Sequence, residues 1–448
     1  MRRRTSPVIA ARVVETQSGE VLYQLEEALP SPDDQSAVRD VRERVAGAVL
    51  ALSDTMFPAW RVGRSRPPRY DAYLAFKQAT DALWQQGEAK AIEHMRRAMT
   101  LDPEFPQAKL WYMEQAIGWP SERAFFDSVR AVLEAQRPGL PPYDQAAIDR
   151  QLAFTDGRLE DAYTAARQLV ALAPSLPDAL SLLAQASLAT RRYREGIEVL
   201  HKLRKAPAWI RGMDQRLGWD LQAHRLLGDL ETGIAEWQAA VREQPDEWVT
   251  CSQGIPLLGA TGQVTVTDSV IRHCGRLPNA PPRLDGTWIT AGRNYRVAGR
   301  VGAADSAFRR TLEMRSALVA KGTIRASALA PVYADLGEWS AAWELLRAAP
   351  DDGEEDRRSL AAVAAAHAGD TLVARRLLSD LRRGKRRSGA NMYAAFVQLA
   401  LGERDSALAS LRLAMEDGVA PAWNGWYVRP ELHALRGDPR FEEMLRPR

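Results

Sequence analysis

One recurrence constrains this chain more than anything else in it. Ala91 is followed four positions later by a large residue, Met95, seven later by a small one, Ala98, and twelve later by Pro103. The same offsets return at Ala162, Ala166, Leu169 and Pro174, and at Gly233, Trp237, Ala240 and Pro245. Without the proline they recur at Gly196, Leu200, Leu203; at Ala304, Phe308, Thr311; at Ala342, Leu346, Ala349; at Ala374, Leu378, Leu381; and at Ala407, Leu411, Ala414. Successive first members lie one or two units of ~34 residues apart, the length of a helical hairpin that cannot bury its apolar face alone and must stack on its neighbours. The two double gaps predict degenerate units around Ala124, Ser128, Ala131 and around Val266, Val270, His273, Pro278. The total is about ten hairpins, so the 448 residues measure a repeat number rather than a set of separate globular cores.

The pattern has a packing reason. Small residues let the second helix of a hairpin approach the first, the large residue fills the space between hairpins, and proline ends the helix. First helices should then carry the complementary set. Before Ala304 these are Trp288, Ala291, Gly292 and Tyr295, with Gly299 and Gly302 at the inter-helix turn; before Ala342 they are Ala326, Leu329, Ala330 and Tyr333, closed by Leu336 and Gly337. Pro331 predicts a kink or a late helix start.

Over roughly residues 70–418 the sequence resembles tetratricopeptide repeat proteins, which implies an all-α fold: a right-handed α-α solenoid whose concave groove, lined by first helices, binds protein. The flanks are different. Val8 to Val14 and Glu20 to Leu25 read as a hairpin turning at Gln17-Ser18-Gly19, followed by an amphipathic helix with Val38, Val41, Val45, Val49 and Leu52 on one face. Val13-Val14 through Thr16, Ser18-Gly19-Glu20-Val21-Leu22, Asp40-Val41-Arg42-Glu43-Arg44-Val45, the junction Pro67-Pro68-Arg69-Tyr70 and the ending Leu435 to Leu445 resemble the C-terminal half of bacterial signalling proteins in which a TolB/FlgO-like domain precedes the repeats, behind a serine/threonine kinase or a regulator. The expected organisation is residues 1–69 as a partial TolB/FlgO-like segment and linker, 70–418 as the solenoid and 419–448 as a capping tail. Most of that domain is missing, so the start is expected to lie downstream of the true one or the gene to encode a shortened paralogue. A kinase's Gly-rich, His-Arg-Asp and Asp-Phe-Gly elements do not occur, so the expectation is a non-enzyme.

Charge narrows the partner. Sixty basic residues against 57 acidic ones, net +3, give no global field for a polyanion. With 46% hydrophobic and 26% charged residues the balance is that of a globular protein, and no apolar run approaches the ~18 residues of a membrane helix. The basic Arg2-Arg3-Arg4 start is cut off by Arg12 and Glu15 too early for a signal peptide, so the expected location is cytoplasmic.

The candidate sites are few. Arg293, Arg296 and Arg300 recur at helical spacing on the best-formed first helix, a stripe suited to a carboxylate or acidic peptide. Cys251, His273 and Cys274 lack the paired spacing that lets one turn supply two metal ligands, so they read as two free thiols in a degenerate repeat. His94, His201, His224, His367 and His433 are scattered and read as ordinary surface or half-buried residues; no metal or cofactor is expected. The basic run Arg382 to Arg387 and the acidic run Asp351 to Asp356 read as solvated loops. Trp84, Trp237, Trp288, Trp339 and Trp343 read as core, and Trp423, Trp426 and Tyr427 as part of a tail that folds back over the apolar end of the last hairpin. The function read from all this is a protein-binding scaffold in bacterial signalling. The alternative is the regulatory part of a kinase or transcriptional regulator whose catalytic or DNA-binding domain lies elsewhere.

Overall fold

The structure, a computed structural model, describes residues 8–28, 35–54, 66–85, 87–117, 120–204, 213–350, 355–383, 387–421 and 425–448. Strands β1 (Val8–Val14) and β2 (Val21–Ala28) pair antiparallel from Val8↔Ala28 to Val14↔Val21, and helix α1 (Gln35–Ser53) packs on them. Every other regular element among the described residues is helical, and successive helices pair as hairpins, an α-α repeat solenoid. No helix of the described residues is long and apolar enough to cross a membrane.

The chain divides into two compact units, Met1–Leu183 with Lys202–Trp209, and Ala184–His201 with Ile210–Arg448. The first holds α1 and the pairs α2 (Tyr70–Gln85) and α3 (Glu88–Leu101), α4 (Pro106–Ala116) and α5 (Arg123–Gln136), and α6 (Pro142–Thr155) and α7 (Leu159–Leu172). Arg44 of α1 is buried and binds Asp40, Asp102 (both at 3.0 Å) and the Pro67 carbonyl, which fixes the N-terminal segment to the first hairpin. Lys109 of α4 is buried as well, donating to the carbonyl oxygens of Pro103 and Gln136.

The division runs through α8 (Pro177–Ala189) and α9 (Tyr193–Leu203). In the second unit follow α10 (Met213–Leu227) and α11 (Leu230–Glu243); a first helix broken into α12 (Trp248–Ser252) and α13 (Ile255–Ala260) with its partner α14 (Val264–Cys274); α15 (Asp285–Val297) and α16 (Val301–Ala320); α17 (Ala330–Leu336) and α18 (Trp339–Arg347); α19 (Glu355–His367) and α20 (Thr371–Arg382); and α21 (Arg387–Ala400) and α22 (Arg404–Glu416). The described residues thus hold ten hairpins, and both double gaps hold one.

The packing logic is visible at Gly292. A Cβ there would stand 2.5 Å from Phe308 Cε1, so only glycine lets α15 meet the large residue of α16. Gly337 (φ +79°) takes the left-handed conformation that ends α17, with the Glu338 amide returning to the Tyr333 carbonyl at 2.8 Å. Pro331 produces the late start: a 3₁₀ turn over Ala326–Leu329 precedes α17, and Pro331 sits in its first turn.

Three expectations are corrected. In α5 the buried stripe is Phe126, Val129 and Leu133, while Ala124, Ser128 and Ala131 are exposed. In α14 it is Thr267, Ile271 and Cys274, one position later than expected, with Val266 exposed. Apolar side chains on several faces of α14 hide the register; the buried Thr267 hydroxyl settles on the Gln263 carbonyl at 2.9 Å. Cys251 and Cys274 are not free thiols but a buried disulfide, 5.7 Å between Cα atoms, that ties the broken first helix to its partner. The exposed His273 stands outside it.

Candidate functional site

Helices α10, α15, α17, α19 and α21 are the first helices of their hairpins, and in the second unit their side chains converge on one segment, the C-terminal tail. It runs through 3₁₀ turns at Trp426–Val428 and Pro430–Leu435 into α23 (Pro439–Leu445). Its apolar residues Trp426, Tyr427, Val428, Leu432, Leu435, Phe441 and Met444 are buried, most of them among α19 to α22. The tail thus packs its apolar residues on the last hairpins.

It also reaches much further back. Gln222 of α10 donates to the Tyr427 hydroxyl at 3.0 Å, and Arg225 lies over the Tyr427 ring, 5.1 Å from its centre. Burial pushes the Tyr427 phenol up in pKa, with the Arg225 cation opposing. Arg225 in turn donates to Asn294 of α15 at 2.6 Å, so α10, α15 and the tail share one network. Arg429 donates to Glu431 and to Asp356 of α19, each at 2.9 Å, and stands over the Phe396 ring of α21. Neighbouring carboxylates hold the Arg429 guanidinium well above its ordinary range despite its burial, the Glu431 charge foremost among them.

The end of the chain is tied to the α8–α9 turn. Arg191 donates to the Met444 carbonyl at 2.6 Å, and the Arg448 amide donates to the Arg191 carbonyl at 2.9 Å. Arg191 has φ +65°, the one non-glycine in the left-handed region among the described residues. That conformation costs an L-residue about 1–2 kcal/mol; other hairpin turns avoid the cost with glycine, as at Gly299 and Gly337. The side chain that a glycine would lack is the one that holds the tail.

The three arginines of the stripe have different surroundings. Arg293 grips the carboxylate of Asp335 on α17 with two nitrogens, the closest contact 2.9 Å. Asp335 is buried, and its desolvation, with the Glu431 charge added, pushes its pKa up against Arg293. Arg296 pairs with Asp305 and lies over the Phe308 ring, 5.3 Å away. Arg300 is exposed, at the N-cap of α16. The basic and acidic runs lie partly outside the described residues (384–386 and 351–354); of their described parts, Arg383 pairs with Asp380 and Asp356 meets the tail. Trp423 lies outside them too. Trp237 and Trp288 are buried, while Trp339 and Trp343 are partly buried in the α17–α19 core.

Sequence reasoning missed a cluster of three. His201 from the last turn of α9 and Asp220 and His224 from α10 bring one ligand-type atom each within 4.8 Å of the others. The signal was there: an Asp followed four residues later by His puts both on one helix face, next to the preceding helix.

No protein-family model matches the chain, and no curated protein matches it in sequence. Several solved structures resemble it in backbone. A tetratricopeptide repeat protein from Parabacteroides merdae is 12% identical over 54% of this chain and 93% of its own, with a TM-score of 0.34. The apo form of the quorum sensor NprR from B. thuringiensis is 12% identical over 78% and 98%, at 0.41. The APC/C hetero-tetramer Cut9-Hcn1 is 11% identical over 85% and 81%, at 0.30. The repeat architecture rests on this chain's own hairpins, and likenesses at these scores add nothing finer.

Proposed function

We propose that the chain is a non-enzymatic scaffold that binds a protein segment on the first-helix face of its second unit, and that its own tail occupies this face in the resting protein. The observation that carries this is the engagement of Tyr427 and Arg429 by residues of α10, α19 and α21. A face that holds a segment of its own chain through ring, carboxylate and amide contacts has the chemistry to hold another. We take Arg293, Arg296 and Arg300 as its polar edge, where a partner's carboxylates compete with Asp335 and Asp305 for the first two. The even charge of the chain favours a protein over nucleic acid.

The test compares fluorescent acidic peptides on the intact chain and on a Tyr427→Ala, Leu432→Asp variant whose tail is unseated. Because only the open fraction binds, the intact chain should bind at least about tenfold more weakly. Equal affinities for the two would sink the reading.

Bacterial signalling is the setting we infer, on the TolB/FlgO-like resemblance of β1, β2 and α1. An in-frame TolB-like or kinase stretch in the genomic DNA upstream supports this setting; a promoter and ribosome site directly before Met1 refutes it. A cytoplasmic location is part of the proposal, and the disulfide tests it. A reducing cytosol keeps thiols apart, so the buried Cys251–Cys274 disulfide counts against a cytoplasmic location; protein from its source cells, denatured in an alkylating agent, should carry two alkylated cysteines if the location holds, and a bonded pair would refute it.

A further inference from the structure

We infer that His201, Asp220 and His224 form a binding site for a first-row divalent metal ion of the zinc class, independent of the partner-binding reading. The three residues come from consecutive helices of the second unit. His201 Nε2 lies 3.7 Å from Asp220 Oδ2, and His224 Nε2 lies 3.8 Å from Asp220 Oδ1. These separations are too long for hydrogen bonds. Tetrahedral zinc with ligands at ~2.0–2.1 Å sets its donor atoms about 3.3 Å apart; the three ligand atoms lie within 4.8 Å of one another, so side-chain shifts of up to about 1.5 Å close the site.

The electrostatic setting favours a cation. The Asp220 side chain is fully buried and that of His224 is 4% exposed. Neither His201 Nε2 nor His224 Nε2 has a hydrogen-bond partner within the protein, though both atoms are buried. Two imidazole nitrogens without partners, facing one buried carboxylate, leave desolvated lone pairs that an ion satisfies together.

The outer contacts orient the ligands. His224 Nδ1 lies 3.3 Å from Asp229 Oδ2, at the turn into α11. That contact places the imidazole proton on Nδ1 and leaves Nε2 free to ligate, the carboxylate–histidine–metal arrangement of zinc proteins. Glu236 of α11 has Oε1 3.9 Å from His201 Nε2 and is 24% exposed, outside the three-residue cluster, so water is the expected fourth ligand. Two imidazoles with a carboxylate suit zinc, and also cobalt and nickel, rather than calcium or magnesium. A bound ion would clamp α9 and α10 together.

The experiment uses the full chain, stripped with a chelator and titrated with ZnCl₂ in a calorimeter, with Co²⁺ as the spectroscopic probe. The expected result is one equivalent of Zn²⁺ and the visible bands of tetrahedral Co²⁺. His201→Gln, at a half-exposed position that leaves the fold intact by circular dichroism, should lose the bands and the tight equivalent. Asp229→Asn should weaken zinc binding about 10–100-fold, while His94→Gln should change nothing. No binding by the stripped chain, or unchanged binding by the folded His201→Gln variant, would overturn the inference.

Discussion

Replacing Arg429 by Met, which keeps an unbranched apolar stem and removes the guanidinium charge, gives the sharpest stability test of the seated tail. Arg429 is 17% exposed, Glu431 only 2%, and Asp356 63%. The Asp356 arm is therefore a surface contact contributing under about 1 kcal/mol. The Glu431 arm is a buried pair, and deleting one partner of such a pair costs about 3–5 kcal/mol because the other charge stays buried and uncompensated. The residual exposure of Arg429 argues for the low end, about 3 kcal/mol. Asp335 adds to the effect, since it is buried and already feels the Glu431 charge, with Arg293 as its remaining cation. Neutralising the stranded carboxylate as well should restore most of the loss, so an Arg429→Met, Glu431→Gln double variant should come within about 1 kcal/mol of wild type. In thermal unfolding the single variant should lose roughly 6–12 °C, at about 2–4 °C per kcal/mol for a unit of this size. A single variant indistinguishable from wild type would mean that the tail does not bury this pair. A double variant as weak as the single would mean that the cost comes from lost packing on Phe396 rather than from a stranded charge.

Other outcomes follow from particular contacts. Gly292→Ala forces a methyl group against Phe308 and should destabilise by about 1–3 kcal/mol, with partial recovery on adding Phe308→Leu; chemical denaturation measures both. Arg191→Gly relieves the left-handed strain while cutting the anchor to Met444, so global stability should stay nearly level while amide exchange speeds up in residues 439–448. Slower exchange there would refute that role for the side chain. Burial pushes the Lys109 ammonium down to about 8, against the Asp102 and Glu104 charges. The unfolded chain then holds this proton at pH values where the folded one has lost it, so stability should rise between about pH 8 and the ordinary lysine pKa near 10.4. In Lys109→Met that rise should vanish, and a wild-type profile flat over this window would contradict the assignment.

The repeat was legible because its signature is local. Ala304, Phe308 and Thr311, or Ala407, Leu411 and Ala414, all lie within one helix, and each set is buried as the spacing requires. Where hydrophobic residues surround a helix, as in α14, the units were found but their register was not. The remaining misses share one cause: they join residues far apart in the chain. Tyr427 meets Gln222 across 205 positions, and Arg293 is committed to Asp335 across 42. The stripe Arg293, Arg296 and Arg300 has the spacing the sequence implied, yet its charges are partly engaged by carboxylates that no local pattern reveals. Asp220 and His224 were within reach of a spacing argument, but His201 joins them only through the packing of α9 on α10.

If the first-helix face of the second unit is a binding face held by the chain's own tail, that tail should exchange with an added copy of itself. A protease site placed at residues 422–424 allows the tail to be cut in the folded protein, and a labelled peptide of residues 425–448 is then added. The cut tail should stay bound through gel filtration, the labelled peptide should replace it one for one, and the uncut protein should take up at least about tenfold less. A cut tail that leaves at once while the folded remainder ignores the peptide would contradict the account, as would equal uptake by cut and uncut protein.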